Sequence, residues 1–420
     1  MLSIFQPKNK GKKAESVHAP SNEHHAQVLH DQMPTIAQIT TKLRLSFMAV
    51  AILDALGSPL QSEHRDQQRV IDEMLPHPTA NHPAGYWTDD TSMMLCIAMA
   101  FASSEDPENC MALQIQTLRE WKNRNYLSST GVCFDLKSQV REAIDLYTSN
   151  DTNPDFALHL IRSQYGGSRD EVSGNASLSR ILPIAFAFWS EPDIAKLQGR
   201  LSSEITHPSD LCKEVSQLFG HLIALILEYQ NAPQKSRKFE DEPPMSKLTL
   251  LEEISKYPYI HERLRLMLTL PFGLERPQDT VELEQWYYQY HPLLKLITNT
   301  QTSGLSNSFP YAIPTSDDLP STDFAYDTAV SALYCFFATS SFEHGALMAV
   351  NLCGEASAVG TVYASLAGVW YAGEEGDAEG VFWTKRMRQW KASTQKLDTV
   401  DAVARKMNKI VMGAFEGMPQ

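Results

Sequence analysis

Apolar residues recur at helical spacing along most of this 420-residue chain, and this pattern limits the possible folds more than any other feature. Strand-like alternation of apolar and polar residues is scarce, and no internal repeat is visible. A chain of this length is able to bury a large core. The pattern therefore predicts an all-α fold. The predicted helices cover residues 36–56, 93–102, 138–147, 179–189, 211–229, 328–337, 344–352 and 359–371.

Changes in composition divide the chain into three kinds of segment. Residues 1–35 are polar and predict a flexible tail, whereas 36–230 and 322–410 predict one helical domain. Residues 231–321 are charged, broken by proline and rich in aromatic residues, which predicts an insertion with its own helices. Its run of aromatics from Trp286 to His291 either covers a small core of the insertion or contacts a cleft or partner. The predicted helices of the insertion are 248–270 and 282–297, followed by a loop at 303–321.

Composition excludes several classes of function. The net charge of −14 argues against binding to nucleic acid or to an anionic membrane surface. No apolar run reaches the roughly 18 residues that span a bilayer, and the N-terminus lacks the apolar centre of a secretory signal. Six single cysteines without a CxxC motif predict reduced thiols and an intracellular, cytoplasmic protein. No dimerisation motif is visible, so a monomer is expected.

The sequence Thr88-Asp89-Asp90-Thr91 lies where a loop meets an apolar helix. Two neighbouring carboxylates repel each other, so such a pair persists where a hard cation, a helix N-terminus or a polar ligand uses the charge. The alternative to a ligand site is an N-cap, with Thr88 or Asp89 accepting hydrogen bonds from the first amides of the helix.

Four further segments place small, polar or acidic residues at helix ends. Asp54 ends an apolar helix, and Asp135 is either an N-cap or an acid that faces a ligand. The Ser173-Gly174-Asn175 loop offers backbone N–H groups to phosphate oxygens or is a simple connector. His207 follows a threonine and precedes a proline at another helix start. The chain has no GxxxxGK[ST] motif, which argues against an NTPase.

Taken in order, these motifs resemble those of the ADP-ribosylglycohydrolase family of the dinitrogenase-reductase-activating type. The matching elements are Asp-Ala-Leu-Gly-x-Pro from Asp54, Thr-Asp-Asp-Thr from Thr88, Gly-x-Cys-Phe-Asp ending at Asp135, Ser-Gly-Asn from Ser173, and Thr-His-Pro around His207. The resemblance extends over residues 38–230 and 322–380. Segments 327–333, 342–352 and 360–371 resemble the closing helices of the family.

The resemblance implies a compact all-α domain that removes ADP-ribose from modified protein side chains, often arginine. ADP-ribosylated protein and ADP-ribose are then the expected partners. Family members usually hold two magnesium ions, which Thr88, Asp89 and Asp90 would begin to bind here. Phe324 either stacks on the adenine or belongs to the core. The implied catalytic residues are Asp89, Asp90, Asp135 and Glu355. The implied substrate-binding residues are Asp54, Thr88, Phe134, Ser173, Gly174, Asn175, His207, Phe324 and Ser357.

The chain departs from the family pattern at the metal site. Gln61 replaces an acid, and the closing Gly-Gly-Asp-x-Asp-Thr motif has Glu355, Ser357 and Ala358 in place of its two aspartates and its threonine. Of five matched carboxylates, only Asp89, Asp90 and Glu355 remain. Two Mg²⁺ ions would be short of ligands and of negative charge. The sequence is compatible with a site that holds one magnesium ion and with a site that works without metal. The site without metal is at least as well supported.

The sequence therefore predicts a hydrolase for ADP-ribosylated side chains, most often arginine-linked, whose carboxylates work with an incomplete metal site or with none. One alternative is an inactive protein that binds ADP-ribose, and another is an interaction protein that only reuses the helices. The polar tail is compatible with a spacer or with delivery of a bacterial effector into a host cell.

Overall fold

The protein is all-α in its computed structural model, which describes residues 29, 32–34, 37–65, 70–78, 81–231, 245–300 and 313–416. These ranges contain α-helices, short 3-10 turns and isolated β-bridges, with no β-sheet among them, so the predicted fold class is confirmed. The helices are α1 (Ile39–Gly57), α2 (Asp89–Ala102), α3 (Met111–Arg124), α4 (Ser138–Ser149), α5 (Pro154–Tyr165), α6 (Leu182–Ala187), α7 (Pro192–Glu204), α8 (Asp210–Asn231), α9 (Lys247–Lys256), α10 (Glu262–Leu268), α11 (Thr280–Tyr290), α12 (Pro292–Asn299), α13 (Ala325–Ala338), α14 (Phe342–Asn351), α15 (Ala356–Tyr371), α16 (Lys385–Ser393) and α17 (Leu397–Glu416).

Helices α1 and α15 form the centre of the core. Every residue of α15 is buried, as expected of a helix that is apolar on all sides. The two helices touch where α1 ends and α15 begins, because a Cβ atom on Gly57 would lie 2.7 Å from the backbone of Ala356. Only glycine allows this approach. The last turn of α1 and the first turn of α15 therefore lie side by side.

One segment of the described chain, Ile39–Leu60, is long and apolar enough to cross a membrane by length and composition. It includes α1, and 89% of its most apolar window is buried inside the protein. In this fold the segment contributes its apolar surface to the core.

Prolines divide two of the predicted helices, and a third is shortened. Residues 248–270 form α9 and α10, separated near Pro258, and 282–297 form α11 and α12, separated before Pro292. The helix predicted at 179–189 is reduced to the six residues of α6, because Pro183 lies in its first turn. The prediction omitted helices α3, α5, α7, α16 and α17.

The predicted insertion packs on the same core as the rest of the protein. The Lys247 ammonium on α9 donates to the Phe336 carbonyl of α13 at 2.6 Å. Glu214 of α8 accepts a hydrogen bond from the His261 amide at 2.8 Å. Tyr287 is buried within the insertion. Leu29 is also buried, so the end of the predicted tail contacts the protein, while most of residues 1–35 and of the 303–321 loop lie outside the described residues.

Candidate active site

The acidic turn at the start of α2 is built on Asp54, the last acid of α1. Its carboxylate accepts hydrogen bonds from the Thr88 amide (3.0 Å), the Thr88 hydroxyl (2.8 Å), the Thr91 amide (3.0 Å) and the Thr91 hydroxyl (2.7 Å). Thr88 is the N-cap of α2, and its hydroxyl accepts from the Asp90 amide at 3.3 Å. Burial raises the pKa of Asp54 to about 6 although these hydrogen bonds oppose the shift. Asp54 and Thr88 thus position the turn.

Asp89 and Asp90 follow in the first turn of α2 and are buried. Neither carboxylate oxygen of Asp89 has a hydrogen-bond partner. Burial, then the charge of Asp54, raises the pKa of Asp90 to about 8, and a hydrogen bond from Ser179 only partly offsets this. Burial and then the charges of Asp90 and Asp135 raise the pKa of Asp89 well above its usual value. Such a pair retains a proton near neutral pH, and its titration belongs to both residues.

Asp135 reaches the same cluster from the loop before α4. Its φ of +60° lies in the left-handed region, and its Oδ2 is buried without a partner. Helix α4 begins at Ser138 with Lys137 in the N-cap position, so the proposal that Asp135 caps this helix is wrong. The neighbouring Phe134 ring packs edge-on against His82, with ring centroids 4.7 Å apart.

Glu355 enters the cluster from the turn before α15. Residues Cys353 and Gly354 of this turn have φ values of +56° and +59°. A Cβ atom on Gly354 would lie 2.0 Å from the Ser321 carbonyl oxygen, so the position requires glycine. The Glu355 carboxylate receives the Lys137 ammonium at 2.9 and 3.2 Å. Burial opposes the charge of Lys137, yet Glu355, Asp89 and Asp135 together raise its pKa.

The positions that differ from the family's metal-binding pattern contact each other directly. The Gln61 amide nitrogen donates a hydrogen bond to the Ser357 hydroxyl. Ser357 and Ala358 are buried, and Ala358 has no donor or acceptor in its side chain. No group of three or more His, Cys, Asp or Glu side chains in the described ranges is arranged to hold a metal ion. These residues do not fit a pair of magnesium ions, which require oxygen ligands in octahedral geometry.

A cavity of about 660 Å³ adjoins the acidic cluster, and Lys137 belongs to both. On one side, the Ser173 carbonyl accepts a hydrogen bond from the Ala325 amide at 2.8 Å, and Gly174 pairs with Phe324 in a β-bridge. A single 3-10 turn, Asn175–Ser177, follows this loop, so no long helix begins directly after it, whereas α4 begins in the cavity lining with Lys137 at its N-cap. The lining includes Lys137, Gln139, Tyr165, Asp170, Ser173, Gly174, Asn175, His207, Arg263 and Phe324.

His207 presents a neutral imidazole to the cavity. Its Nδ1 lies 2.8 Å from the Thr206 hydroxyl, which accepts a hydrogen bond from the buried Arg180 guanidinium at 2.7 Å. We assign the Thr206 hydroxyl as the donor to Nδ1, because its single proton then has a partner, and this assignment places the ring proton on Nε2. Burial, then the charge of Arg180, lowers the pKa of His207 to about 3. Nε2 would lie 3.2 Å from a Cβ atom on Gly174, so glycine leaves this N–H donor accessible to a ligand.

Phe324 lines the cavity beside an arginine of the insertion. The Arg263 guanidinium carbon lies 5.0 Å from the centre of the Phe324 ring and 4.5 Å from that of Tyr326. Arg263 also lies 3.6 Å from an Asp170 carboxylate oxygen. Trp286 to His291 are not part of the cavity lining.

The structure thus gathers the predicted residues into three groups. The first is the acidic cluster of Asp89, Asp90, Asp135 and Glu355, which interact electrostatically with Lys137 or with one another. The second lines the cavity: Ser173, Gly174, Asn175, His207 and Phe324. Asp54, Thr88, Phe134 and Ser357 are engaged with other protein groups outside the cavity lining.

Sequence reasoning missed Lys137 and Arg263. Lys137 lies two residues after Asp135 in a loop that the motifs already mark, so a local signal for it was present. Nothing in the sequence near Arg263 indicates that α10 reaches the cavity.

Comparisons with known proteins agree with this architecture. ADP-ribosylarginine hydrolase Tri1 from Serratia proteamaculans (strain 568) is 23% identical over 331 residues, which is 79% of this chain and 71% of the relative. Tri1 from Pseudomonas putida (strain GB-1) is 23% identical over 363 residues, or 86% of this chain and 78% of the relative. A solved structure titled "ADP-ribosylglycohydrolase-related protein complex" has the same fold, with a TM-score of 0.54 at 22% identity, and the match covers 89% of this chain and 99% of that chain. The ADP-ribosylglycohydrolase family model matches residues 36–409, and the chain therefore belongs to that family.

Proposed function

We propose that this protein hydrolyses the bond between ADP-ribose and a modified protein side chain, with arginine as the modified residue. The observation that carries the proposal is the buried pair Asp89 and Asp90, whose charges interact with Lys137 in the lining of a cavity of about 660 Å³. Family membership supports the release of ADP-ribose. The names of the two Tri1 relatives support the arginine linkage.

The cavity suits a nucleotide that carries a diphosphate. Its volume lies within the range typical of small-molecule sites, roughly 300–1,000 Å³. The His207 Nε2–H and the Lys137 ammonium are hydrogen-bond donors that anionic oxygens of a diphosphate can accept from. The half-buried Phe324 ring supplies an aromatic surface for adenine. We place the diphosphate between His207 and Lys137, and the adenine against Phe324.

The reaction exchanges one bond for another at the anomeric carbon of the ribose. The carbon–nitrogen bond to the arginine guanidinium breaks, and a bond to a water oxygen forms. The ring develops positive charge in an oxocarbenium-like transition state, which nearby carboxylates stabilise. One proton of the water goes to a carboxylate and a proton goes to the departing guanidine nitrogen, so the products are ADP-ribose and unmodified arginine.

Asp89 and Asp90 supply the base and the acid as a pair. Because burial raises the pKa of both, the pair holds a proton near neutral pH that serves as the acid, and the form with one proton shared between the two residues has the carboxylate that serves as the base. Asp135, whose Oδ2 has no partner, is placed to accept hydrogen bonds from the ribose hydroxyls.

One observation favours a second candidate function, the binding of ADP-ribose without hydrolysis. Gln61 and Ser357 bond to each other where the family's pattern has acids. A protein that had lost its chemistry would still have the cavity with His207 and Phe324.

The test is the release of ADP-ribose from an arginine-ADP-ribosylated protein, measured with magnesium and with excess EDTA. We expect release by the unmodified protein, and a loss of at least about a hundredfold in Asp89→Asn and Asp90→Asn. Asp377→Asn removes an exposed acid and should match the unmodified protein. Serine-linked and other O-linked substrates are assayed in parallel. Absence of release from every substrate, together with calorimetric binding of ADP-ribose, would establish the second function instead.

We further propose an intracellular, monomeric protein. All six cysteines are free thiols, and five of them are buried, which supports a reducing compartment. Size-exclusion chromatography with light scattering tests the monomer.

A further inference from the structure

The acidic cluster lacks two of the five carboxylates that the family's pattern would offer to a pair of magnesium ions. The direct hydrogen bond from Gln61 to Ser357 leaves an amide N–H and a hydroxyl bonded to each other. An amide N–H is a donor and does not bind a cation. Ala358 offers only a methyl group. These three residues therefore supply no negative charge to a second metal ion.

Lys137 brings a positive charge into the acidic cluster. The ammonium nitrogen lies 2.9 and 3.2 Å from the two oxygens of Glu355, and the side chains of Lys137 and Glu355 are 28% and 18% exposed. The charges of Asp89 and Asp135 also act on Lys137, and that of Lys137 acts on Asp90. One ammonium thus interacts with all four acids of the cluster.

The fold fixes this lysine from both sides. Lys137 is extended immediately before α4, and on that helix the Gln139 amide nitrogen donates to the Thr206 carbonyl at 3.0 Å. Glu355 is held by the Ser321 carbonyl, which accepts its amide at 3.2 Å. Because 218 residues separate Lys137 from Glu355, the contact depends on the tertiary fold and is not a local helix pair.

We propose that the Lys137 ammonium is the resident cation of the acidic cluster and takes the electrostatic place that magnesium has in the family. Its three N–H donors allow two bonds to Glu355 and one to a ligand oxygen in the cavity. It offsets carboxylate charge where an anionic diphosphate must enter. The consequence for turnover rests on the proposed function, whereas the consequence for ADP-ribose binding does not.

The test compares Lys137→Met, which keeps the length and removes the charge, with Lys137→Arg, which keeps the charge. Lys213→Met is the matched control, because Lys213 is also largely buried and lies 2.9 Å from a carboxylate, that of Asp210. Hydrolysis and calorimetric ADP-ribose binding are measured in EDTA and in excess magnesium chloride, and magnesium chloride alone is titrated into each protein. Circular dichroism and melting temperature report folding.

We expect equal hydrolysis by the unmodified protein in EDTA and in magnesium, and no heat of magnesium binding. Lys137→Met should lose about a hundredfold or more in rate, Lys137→Arg should stay within about tenfold, and Lys213→Met should be unchanged. A merely structural role for Lys137 would lower the melting temperature of Lys137→Met without lowering the ADP-ribose affinity or the rate of the folded variant. The proposal is overturned if the unmodified protein binds magnesium and loses activity in EDTA, or if folded Lys137→Met is fully active.

Two outcomes separate this proposal from the proposed function. If the unmodified protein hydrolyses no substrate, the proposed function fails and ADP-ribose affinity decides the role of Lys137. A tenfold or larger loss of affinity in Lys137→Met, measured in EDTA, supports the resident cation, and unchanged affinity overturns it. If Lys137→Met does not fold, Lys137→Arg and the magnesium titration of the unmodified protein decide.

Discussion

Replacing Asp90 by asparagine should make the protein more stable at alkaline pH while abolishing hydrolysis. The Asp90 carboxyl has a pKa of about 8 in the folded protein, against 3.8 for an unperturbed aspartate. Between these values the folded state holds a proton that the unfolded state has released. The free energy of unfolding therefore falls as pH rises through this window, by about 1.4 kcal/mol per pH unit. The asparagine side chain of the variant has no proton to lose and escapes this penalty.

The size of the stability difference follows from the proton that Asp90 holds in the folded state. Between pH 6 and 8 the stability of Asp90→Asn relative to the unmodified protein should increase by about 2 kcal/mol, since titration near pH 8 flattens the last part of the curve. Groups that do not interact with Asp90, such as His207, contribute equally in both proteins, whereas Asp54 and Asp89 titrate together with Asp90 and belong to the measured difference.

The assay is urea unfolding followed by tryptophan fluorescence in EDTA at pH 6, 7 and 8. Asp377→Asn, at an exposed position, should run parallel to the unmodified protein. If Asp90→Asn also runs parallel to it across this range, then Asp90 is ionised in the folded protein and the proposed sharing of a proton in the pair is incorrect.

Three further substitutions test the construction of the site. Asp54→Ala removes the acceptor of four hydrogen bonds and leaves two buried amides unpaired, so the free energy of unfolding should fall by about 3–5 kcal/mol and hydrolysis should be lost. Gly354→Ala forces a Cβ atom against the Ser321 carbonyl at a φ of +59°, and should cost about 1–3 kcal/mol in urea unfolding. Arg263→Ala removes the guanidinium above Phe324, and should raise KM for the ADP-ribosylated substrate about threefold to tenfold with little change in kcat.

A different result would contradict each of these three predictions. Unchanged stability in Asp54→Ala would show that the turn at Thr88 keeps its conformation without the hydrogen bonds to Asp54. An unaltered melting curve for Gly354→Ala would mean that the turn before α15 relaxes freely. Arg265→Ala, on the same helix as Arg263, should leave KM unchanged, and an equal effect of both variants would point to a general change in α10.

Local features of the sequence explain what was predictable. A hydroxyl followed by two acids before an apolar run indicated an N-cap at Thr88 or Asp89, and the structure has it at Thr88, although the periodic pattern began the helix only at residue 93. The order of short motifs identified the family and the all-α fold. The divisions near Pro258 and Pro292 followed from the rule for proline, which the prediction did not apply there.

Long-range contacts explain what was not predictable. Gln61 and Ser357 are 296 residues apart, and only the approach of α1 to α15 brings their side chains together. Periodicity likewise gives no sign that Phe134 packs against a histidine, or that Arg263 reaches the cavity. Such pairings depend on how helices dock, which a single sequence does not reveal.

The contact at Gly57 has a consequence for how this site can change. Because backbone meets backbone there, the separation between the residues after α1 and the first turn of α15 is set by two main chains in contact, and no side chain is available to widen it. A single substitution at Gln61 or Ser357 alters the chemistry of a gap whose width is fixed. Substitution at position 61 or 357 can therefore change which side-chain groups face each other. It cannot increase the distance between the two backbones as long as residue 57 is glycine.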